Sequence, residues 1–369
     1  MKNLSSRRLE IIAFALTFIG LSVAVNAQAI SLNDGEISKL QKLVKKDTSA
    51  PKQLARFSNA ADAALQDAPN PIETITTEGR LAGDPLKTAT AEALRDMPKI
   101  YALAIVYRVK KDEKYLKKAT EFLTAWAKKN RPTGDPIDET TLDNAFEGYD
   151  LIKDKFSAEN KTLIENWFRA VAKAEINFAR MKKGKITSMN NWNSHRLKIV
   201  GEIAWVLNDA ELKRYALENL KTQINVNLNA DGTSFDFLER DALHYHVYDL
   251  EPLLKLAIVI KRNTKTDFYQ YESGKKSSIA KSVEFLKPYV SGEKTHAEFV
   301  NTKVAFDKAR AKNGEKGYTG GTLFNPSKGI KTLSLAAWFN PQLLETIRKS
   351  EKNNEKFPNW QTVFNEVMN

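Results

Sequence analysis

The chain has 369 residues, enough for one large domain or two smaller ones, and its 42% hydrophobic and 28% charged content is ordinary for a globular protein. The absence of cysteine excludes disulfide bonds, thiolate catalysis and cysteine-bound metal. A formal net charge of +12 favours a polyanionic partner.

The first residues have the organisation of a secretory signal peptide. An apolar run from Ile11 to Val25 precedes small residues that end at Ala27, and it follows three basic residues, Lys2, Arg7 and Arg8. The run is shorter than the roughly 20 residues that a membrane span needs. We therefore predict cleavage near Ala27, so that residues 1–27 are the signal peptide, and a periplasmic or secreted protein without a membrane anchor.

The predicted mature chain, residues 28–369, remains basic. The leader carries a net charge of +2, and its removal from +12 leaves +10. In the periplasm such a protein is expected to meet an acidic polysaccharide and not nucleic acid. The sequence leaves the oligomeric state open.

Helical periodicity dominates this mature chain. Apolar residues recur at three- and four-residue steps from Leu116 to Trp126, from Leu197 to Leu207 and from Leu250 to Ile258. The turn signals RPTGDP, LNDAE and NADGTS lie between such segments, and TSFDF is the best candidate for a short β pattern. Since no fixed-length repeat is visible, the pattern predicts a single all-α domain, an α/α toroid of antiparallel helical hairpins that forms an incomplete barrel.

Two loops are expected to lie near a site. The lysine- and glycine-rich stretch from Lys312 to Lys331 predicts a long loop inside the domain, and loops of this kind often cover a site. Arg80 lies in a second, glycine-flanked loop, TTEGRLAGDP, and is expected to close over the substrate.

A first polar cluster surrounds the start of a helix that is predicted to begin near Ser194. Its members are Asn190, Asn191, Trp192, Asn193 and His195. Asparagines at a helix start usually cap the helix, but this group exceeds what capping needs. We expect Asn190 and Asn191 to bind substrate, Asn191 by donating to a sugar carboxylate, and Trp192 to offer a flat face to a sugar ring. His195 is expected to be neutral and able to act as a base.

A second cluster lies within ERDALHYHVYDLEPLL and holds two of the 4 histidines. Its members are Arg240, His244, Tyr245, His246 and Tyr248. Because Pro252 is tolerated in a first helical turn, Asp249 is expected to cap a helix that begins at Leu250. The cluster would then lie in the approach to that helix and face a cleft, with His244, His246 and Tyr248 as substrate-binding residues.

These residue types suit the cleavage of a polyuronate by β-elimination. Asn191 and Arg240 would stabilise the enolate-like intermediate on the sugar carboxylate. Tyr245, acidified by Arg240 and a neighbouring histidine, would take the C5 proton and return it to the leaving O4. His195 would share the proton transfer or hold the carboxylate. We expect no metal and no cofactor, because the histidine spacings form no recognised zinc motif.

The asparagine pair before a helix, with ALHYHVYDLEPLL about fifty residues later, resembles the alginate lyase family of α/α-toroid polysaccharide lyases. The segment from Asp84 to Ile152 resembles the helical hairpins of the same family. This resemblance implies that Tyr245 matches the catalytic tyrosine and Asn191 the carboxylate-neutralising asparagine.

Two departures from the family pattern imply a divergent branch. The family has histidine directly after the asparagine pair, whereas this chain has Trp192 there and His195 three residues later. Arg240 also lies slightly closer to the tyrosine than the family's arginine does. The expected substrate is mannuronate-rich alginate, with glucuronan as the competitor because its stereochemistry at C4 and C5 is the same.

Two other classes of function stay open at this point. An inverting glycoside hydrolase would use a pair of carboxylates, for which Asp236, Glu239 and Asp241 are candidates. A periplasmic binding protein for acidic glycans would use the same basic and aromatic residues without catalysis. Neither the choice between endo and exo action nor the choice between His195 and Tyr245 as the base follows from the sequence.

Overall fold

A computed structural model of the chain describes residues 29–46, 49–350 and 359–369. Helices make up 68% of the described residues, which contain two isolated β-bridges but no strand, and this confirms the predicted all-α class. The predicted signal peptide lies outside the described residues. None of the helices described is long and apolar enough to cross a membrane.

Seventeen α-helices lie in the part of the chain that the structure describes. Their bounds are α1 Asp34–Leu43, α2 Ser49–Ala64, α3 Pro85–Leu94, α4 Asp96–Lys110, α5 Glu113–Lys129, α6 Pro136–Glu139, α7 Asp143–Ile152, α8 Ala158–Asn177, α9 Asn191–Val206, α10 Ala210–Asn227, α11 Phe235–Arg240, α12 Leu243–Thr264, α13 Ile279–Val290, α14 Ala305–Lys312, α15 Ile330–Ala336, α16 Leu343–Ser350 and α17 Trp360–Met368. Short 3-10 helices include Thr140–Leu142 and Pro326–Gly329.

The helices form two concentric layers. Helices α4, α7, α9, α12 and α15 follow one another around an inner ring and bury most of their side chains, and α9 buries every one. Helices α2, α5, α8, α10, α13 and α16 pack on the outside of this ring. The last helix, α17, packs against α1, α2 and α15 and so brings the two ends of the ring together. The predicted α/α toroid is confirmed.

The predicted apolar faces are the faces that the toroid buries. Ala119, Leu123 and Trp126 of α5 are fully buried, and so are Leu250 and Leu253 of α12. The three turn signals lie between helices as expected. The β pattern at TSFDF was wrong: Ser234 forms a single bridge with Leu228, and its hydroxyl then caps α11.

The start of α9 differs from the predicted one by a few residues. The helix begins at Asn191 and not near Ser194, because the side chain of Asn190 accepts a hydrogen bond from the backbone N–H of Trp192 and caps the helix there.

The predicted start of α12 was also wrong, by more residues than the predicted start of α9. The helix begins at Leu243, seven residues before the predicted start, and Asp249 is buried in its interior. The carboxylate of Glu298 accepts hydrogen bonds from the backbone N–H groups of Leu243 and His244, at 2.7 and 3.0 Å. A residue distant in sequence therefore satisfies the free N–H groups of the first turn.

The inner helices all begin on one face of the toroid. Tyr101 of α4, Asn144 of α7, Asn191 of α9, Tyr245 of α12 and Lys331 of α15 lie near the start of their helices and line cavities. Helix N-termini carry partial positive charge, so this face favours anionic ligands.

Candidate active site

A cavity of about 280 Å³ lies on this face, at the beginnings of α9 and α12. It is lined by Thr77, Glu78, Lys87, Ile137, Asn191, Trp192, Arg240, His244, Tyr245, Tyr248, Phe306, Arg310 and Tyr318. The structure thus brings together six of the residues predicted from the two polar clusters. It does not bring Arg80, Asn190, His195 or His246 to the cavity wall.

Tyr245 lies between two arginines in this cavity. The Arg240 guanidinium stacks over the Tyr245 ring at 3.8 Å from its centroid, and Nη1 of Arg310 donates to the phenol oxygen at 2.8 Å. The phenol proton faces the Asp307 carboxylate, at 3.4 Å. Asp307 also forms an ion pair with Arg240, so one carboxylate holds both the arginine and the tyrosine in place.

The predicted acidification of Tyr245 was wrong. Burial raises the pKa of the Tyr245 phenol, and the charges of Arg240 and Arg310 offset this only in part. The neighbouring histidine does not lower the pKa of Tyr245, because His244 is itself uncharged. Burial lowers the pKa of His244 to about 4, and the nearby Lys328 acts in the same direction. The two guanidinium groups hold the pKa of this phenol below the value that burial alone would give.

Asn191 is held by an aspartate behind the cavity wall. Its backbone N–H donates to one oxygen of Asp236 at 2.7 Å, and its side-chain amide donates to the other. Asn227 donates to the same carboxylate, at 3.4 Å. A side-chain amide has two N–H donors, so this arrangement orients Asn191 and leaves it a donor for a ligand.

The remaining predicted residues of the wall are aromatic. The His244 ring meets the Tyr245 ring edge-on at 5.1 Å, and the Tyr248 ring does so at 6.4 Å. Trp192 is only 6% exposed, and the Arg180 guanidinium covers its indole at 4.4 Å. The indole therefore offers a sugar ring less surface than predicted.

His195 lies behind Tyr248, with 4.2 Å between the two ring centroids. Burial lowers the pKa of His195 well below its usual value, so the ring is neutral as expected, although burial and not the helix terminus is the main cause. Its Nδ1 lies 2.6 Å from the Thr140 hydroxyl, while Nε2 is buried and forms no hydrogen bond of good geometry. This placement makes His195 a support for Tyr248 and leaves Tyr245 in contact with the cavity.

Two residues predicted to bind substrate have other partners. The side chain of Asn190 caps α9, as described above. Arg80 forms an ion pair with Asp84 at 2.9 Å and donates to the hydroxyl of Thr76 at 3.0 Å. Its loop does reach the cavity, but through Thr77 and Glu78.

His246 is a core residue. It is fully buried, with Nδ1 at 2.9 Å from the Ser234 hydroxyl and Nε2 at 3.0 Å from the Ser282 carbonyl. Residues two positions apart on a helix point to opposite sides, so the cavity receives His244 and the core receives His246.

Helix α14, which supplies Phe306, Asp307 and Arg310, was not predicted from the sequence. The stretch from Lys312 to Lys331 was predicted as one loop, whereas it includes a 3-10 helix and the start of α15. The loop part does reach the site: the Tyr318 hydroxyl accepts from Arg310 at 3.0 Å, and Glu315 accepts from the backbone of Ala82 at 2.8 Å. The two predicted loops therefore meet beside the cavity.

A family model identifies the family of the chain. Residues 39–296 match the family model described as alginate lyase. No curated protein sequence matches the chain.

Several solved structures share the fold at low sequence identity. An alginate lyase from Bacteroides ovatus is 16% identical, with a TM-score of 0.63 over 90% of this chain and 96% of the other. Alginate lyase A1-III from Sphingomonas species A1 is 19% identical, with a TM-score of 0.57 over 73% of this chain and 80% of the other. The family match covers well over half of the chain, and the chain is a polysaccharide lyase that belongs to the alginate lyase family.

Proposed function

We propose that this enzyme cleaves mannuronate-rich alginate by syn β-elimination and leaves a 4,5-unsaturated uronate end. The observation that carries the proposal is the position of the Tyr245 oxygen, 2.8 Å from a guanidinium nitrogen of Arg310 in a cavity that also presents the Asn191 amide. A tyrosine-to-phenylalanine variant of alginate lyase A1-III, which is similar in fold, was solved with a tetrasaccharide.

In the proposed step Tyr245 acts as base and then as acid. The phenolate takes the proton from C5, the electrons of the C5–H bond form the C4–C5 double bond, and the bond between C4 and O4 breaks. The phenol then gives the proton to O4, which regenerates the phenolate. A single tyrosine can act as both base and acid because the C5 hydrogen and O4 of mannuronate lie on the same face of the ring.

Charge on the sugar carboxylate must be stabilised while C5 loses its proton. Asn191 supplies an oriented amide donor, and the helix start of α9 lies directly behind it. Arg240 is the nearby cation, although its ion pair with Asp307 partly neutralises its positive charge. Asp236 and Asp307 fix the orientation of Asn191 and Arg240, and such preorganisation is the condition for effective electrostatic stabilisation.

Glucuronan is the second candidate substrate. Glucuronate has the same arrangement of C5 hydrogen and O4 as mannuronate, so the same tyrosine geometry serves both. Guluronate is the C5 epimer and presents the hydrogen on the opposite face. We therefore expect cleavage of polymannuronate or glucuronan in preference to polyguluronate.

The described carboxylates do not support the hydrolase alternative. Glu78 is the one carboxylate among the described residues that line the cavity, and it pairs with Arg180 at 3.0 Å. Asp236 is bound to Asn191, and Glu239 pairs with Lys303 at 3.2 Å. An inverting hydrolase needs two carboxylates on either side of the bond that is cut.

The mass of the products tests the proposal. Polymannuronate, polyguluronate and a neutral glycan are incubated separately with the enzyme, and the oligomers are examined by mass spectrometry. Elimination makes the product with the new non-reducing end one water lighter than its hydrolytic counterpart, while the product with the new reducing end has the same mass in both reactions. Products of hydrolytic mass alone, or faster cleavage of polyguluronate, would contradict the proposed chemistry.

The proposed reaction does not depend on a metal ion. The described residues include one group of carboxylates whose oxygens lie within 4.8 Å of one another, formed by Asp143, Glu147 and Glu202. Lysine ammonium groups already lie there: Lys198 is 2.9 Å and Lys255 is 2.7 Å from Asp143. We expect dialysis against EDTA to leave kcat unchanged, as measured by product formation. A loss that a divalent cation restores would contradict this expectation.

The two histidines of the HYH segment are expected to respond oppositely to substitution. His246→Ala removes the hydrogen bonds to the Ser234 hydroxyl and the Ser282 carbonyl and creates a cavity, so it should lower the free energy of unfolding by about 2 kcal/mol or more. His244→Ala should change unfolding by less than about 1 kcal/mol but raise KM, because its ring lines the cavity. Urea denaturation and steady-state kinetics of both variants measure these effects. The reverse pattern would show that the two roles were assigned wrongly.

We also propose that the enzyme is periplasmic or secreted. The basic start, apolar run and small residues before Ala27 support export, and the net charge suits an acidic polymer. Cell fractionation with N-terminal sequencing of the mature protein tests this point.

A further inference from the structure

A second and larger cavity, of about 530 Å³, lies among the inner helices α4, α7, α12 and α15 and the last helix, α17. It is lined by Phe57, Tyr101, Asn144, Glu147, Lys255, Ser327, Ile330, Lys331, Asn359, Trp360, Gln361 and Phe364. Seven of these twelve residues, from Ser327 onwards, lie outside the family match. The cavity is therefore a feature that the family match does not describe.

The two cavities lie along one face of α12. Tyr248 lines the first cavity, Lys255 lines the second, and Glu251 lies between them on the same side of the helix. At 1.5 Å per residue, the seven residues from Tyr248 to Lys255 span about 10 Å. A glycan chain that leaves the first cavity along this helix reaches the second after a few sugar residues.

One wall of the second cavity is a group of packed aromatic rings. The Phe57 ring lies 4.7 Å from that of Trp360 and 5.5 Å from that of Tyr101. The indole N–H of Trp360 donates to the Tyr101 hydroxyl at 2.9 Å, which fixes the orientation of the indole. A fixed and partly exposed aromatic face suits the apolar face of a pyranose ring.

The floor and the rim of the cavity are polar. Lys255 donates to Asp143 and to Glu147, at 2.7 and 3.0 Å, and has a third N–H left. At the rim the side chain of Lys331 is 62% exposed and is held at 2.6 Å by Glu251. Glu147 can accept from sugar hydroxyls, and Lys331 is placed to meet a sugar carboxylate.

We propose that the second cavity binds a uronate residue of the same glycan, at a distance from the bond that is cleaved. The inference rests on the proposed function for the identity of the polymer, and on the continuity along α12 for the path between the two cavities. Trp360 stacks on the sugar ring, and Lys331 binds its carboxylate. The cavity thus lengthens the binding site and favours long chains over short ones.

Two variants test this proposal with long and short oligomannuronates. Trp360→Ala removes the stacking surface, and Lys331→Glu reverses the charge at an exposed position without removing packed atoms. We expect each to raise KM for a long oligomer by about tenfold at unchanged kcat, and to leave the shortest cleavable oligomer unaffected. Lys221→Glu, on the exposed side of α10, makes the same charge change away from the cavity and should leave both substrates unaffected.

Equal effects on long and short oligomers, or no effect in either variant, would overturn the proposal. If the wild type produced no unsaturated ends from any polyuronate, the proposed function would fail by itself. Calorimetric titration of the same oligomers would then test the cavity directly, and unchanged affinity in both variants would overturn it. Equal weakening for a neutral glucan oligomer would overturn the assignment to uronates.

Discussion

Replacing Tyr245 with phenylalanine is expected to reduce kcat by about three orders of magnitude while the affinity for oligomannuronate stays within about fivefold of that of the wild type. The substitution removes the oxygen that we propose takes the C5 proton and returns it to O4. The ring remains, so its contact with the Arg240 guanidinium at 3.8 Å is retained. Timed assays of product formation measure kcat, and calorimetric titration measures the affinity for oligomannuronate.

The matched control for this variant is Tyr271→Phe. Tyr271 is half-buried and lies outside the cavity, so loss of its hydroxyl should change kcat by less than about twofold. A Tyr245→Phe enzyme with near-normal kcat would remove Tyr245 from the proton transfer. If neither activity nor binding were present in the wild type, the lyase proposal itself would fail.

Replacing Arg310 with alanine is expected to reduce kcat by about a hundredfold and to move the rising limb of the pH profile of kcat/KM to higher pH. Arg310 donates to the Tyr245 oxygen, and its charge lowers the pKa of that phenol against the effect of burial. Without the cation the pKa of Tyr245 rises. A base that works as phenolate then becomes available only at higher pH.

Arg310→Lys and Arg348→Ala are the controls for this prediction. Lysine keeps the charge but loses the planar fork of donors, so the pH profile should shift less than with alanine while kcat still falls. Arg348 is exposed on α16, and its removal should change neither quantity. An unchanged pH profile in Arg310→Ala would show that Arg310 positions the tyrosine without affecting its ionisation.

The helical hairpins could be predicted from the sequence because their apolar faces recur at the helical period. The segments around Leu123, Leu197 and Leu253 are buried as the pattern requires. A period in the sequence depends only on neighbouring residues, and burial against the adjacent helix follows from it. The toroid itself followed from many such hairpins without a fixed-length repeat.

The prediction that His246 binds substrate failed because of the helix start. Glu298 caps α12 from 55 residues away, and no local signal shows this contact. With the helix begun at Leu243, the residues of the HYH segment are distributed around the helix. His244, Tyr245 and Tyr248 point to the cavity, and His246 points to the core.

The different roles of Asn190 and Asn191 could not be predicted from the sequence either. Both are adjacent polar residues at a helix start, and the sequence does not show which of them caps the helix. The side chain of Asn190 turns to the backbone N–H of Trp192, so Asn191 is the one that reaches Asp236 and the cavity.

Arg310 was missed for a different reason. It follows Tyr245 by 65 residues and lies in a segment rich in lysine and alanine, where a cation is ordinarily a surface residue. Only the packing of α14 beside α12 shows that this guanidinium reaches the phenol oxygen.

The most direct test of the proposed lyase function measures the ultraviolet absorbance of unsaturated uronate ends. The purified mature enzyme is incubated separately with polymannuronate, polyguluronate, glucuronan and a neutral glycan. We predict a rise in absorbance with polymannuronate that the neutral glycan does not give, and a smaller rise or none with polyguluronate. A rise with glucuronan alone would keep the elimination chemistry and change the substrate. No rise with any of the three polyuronates would contradict the proposed function.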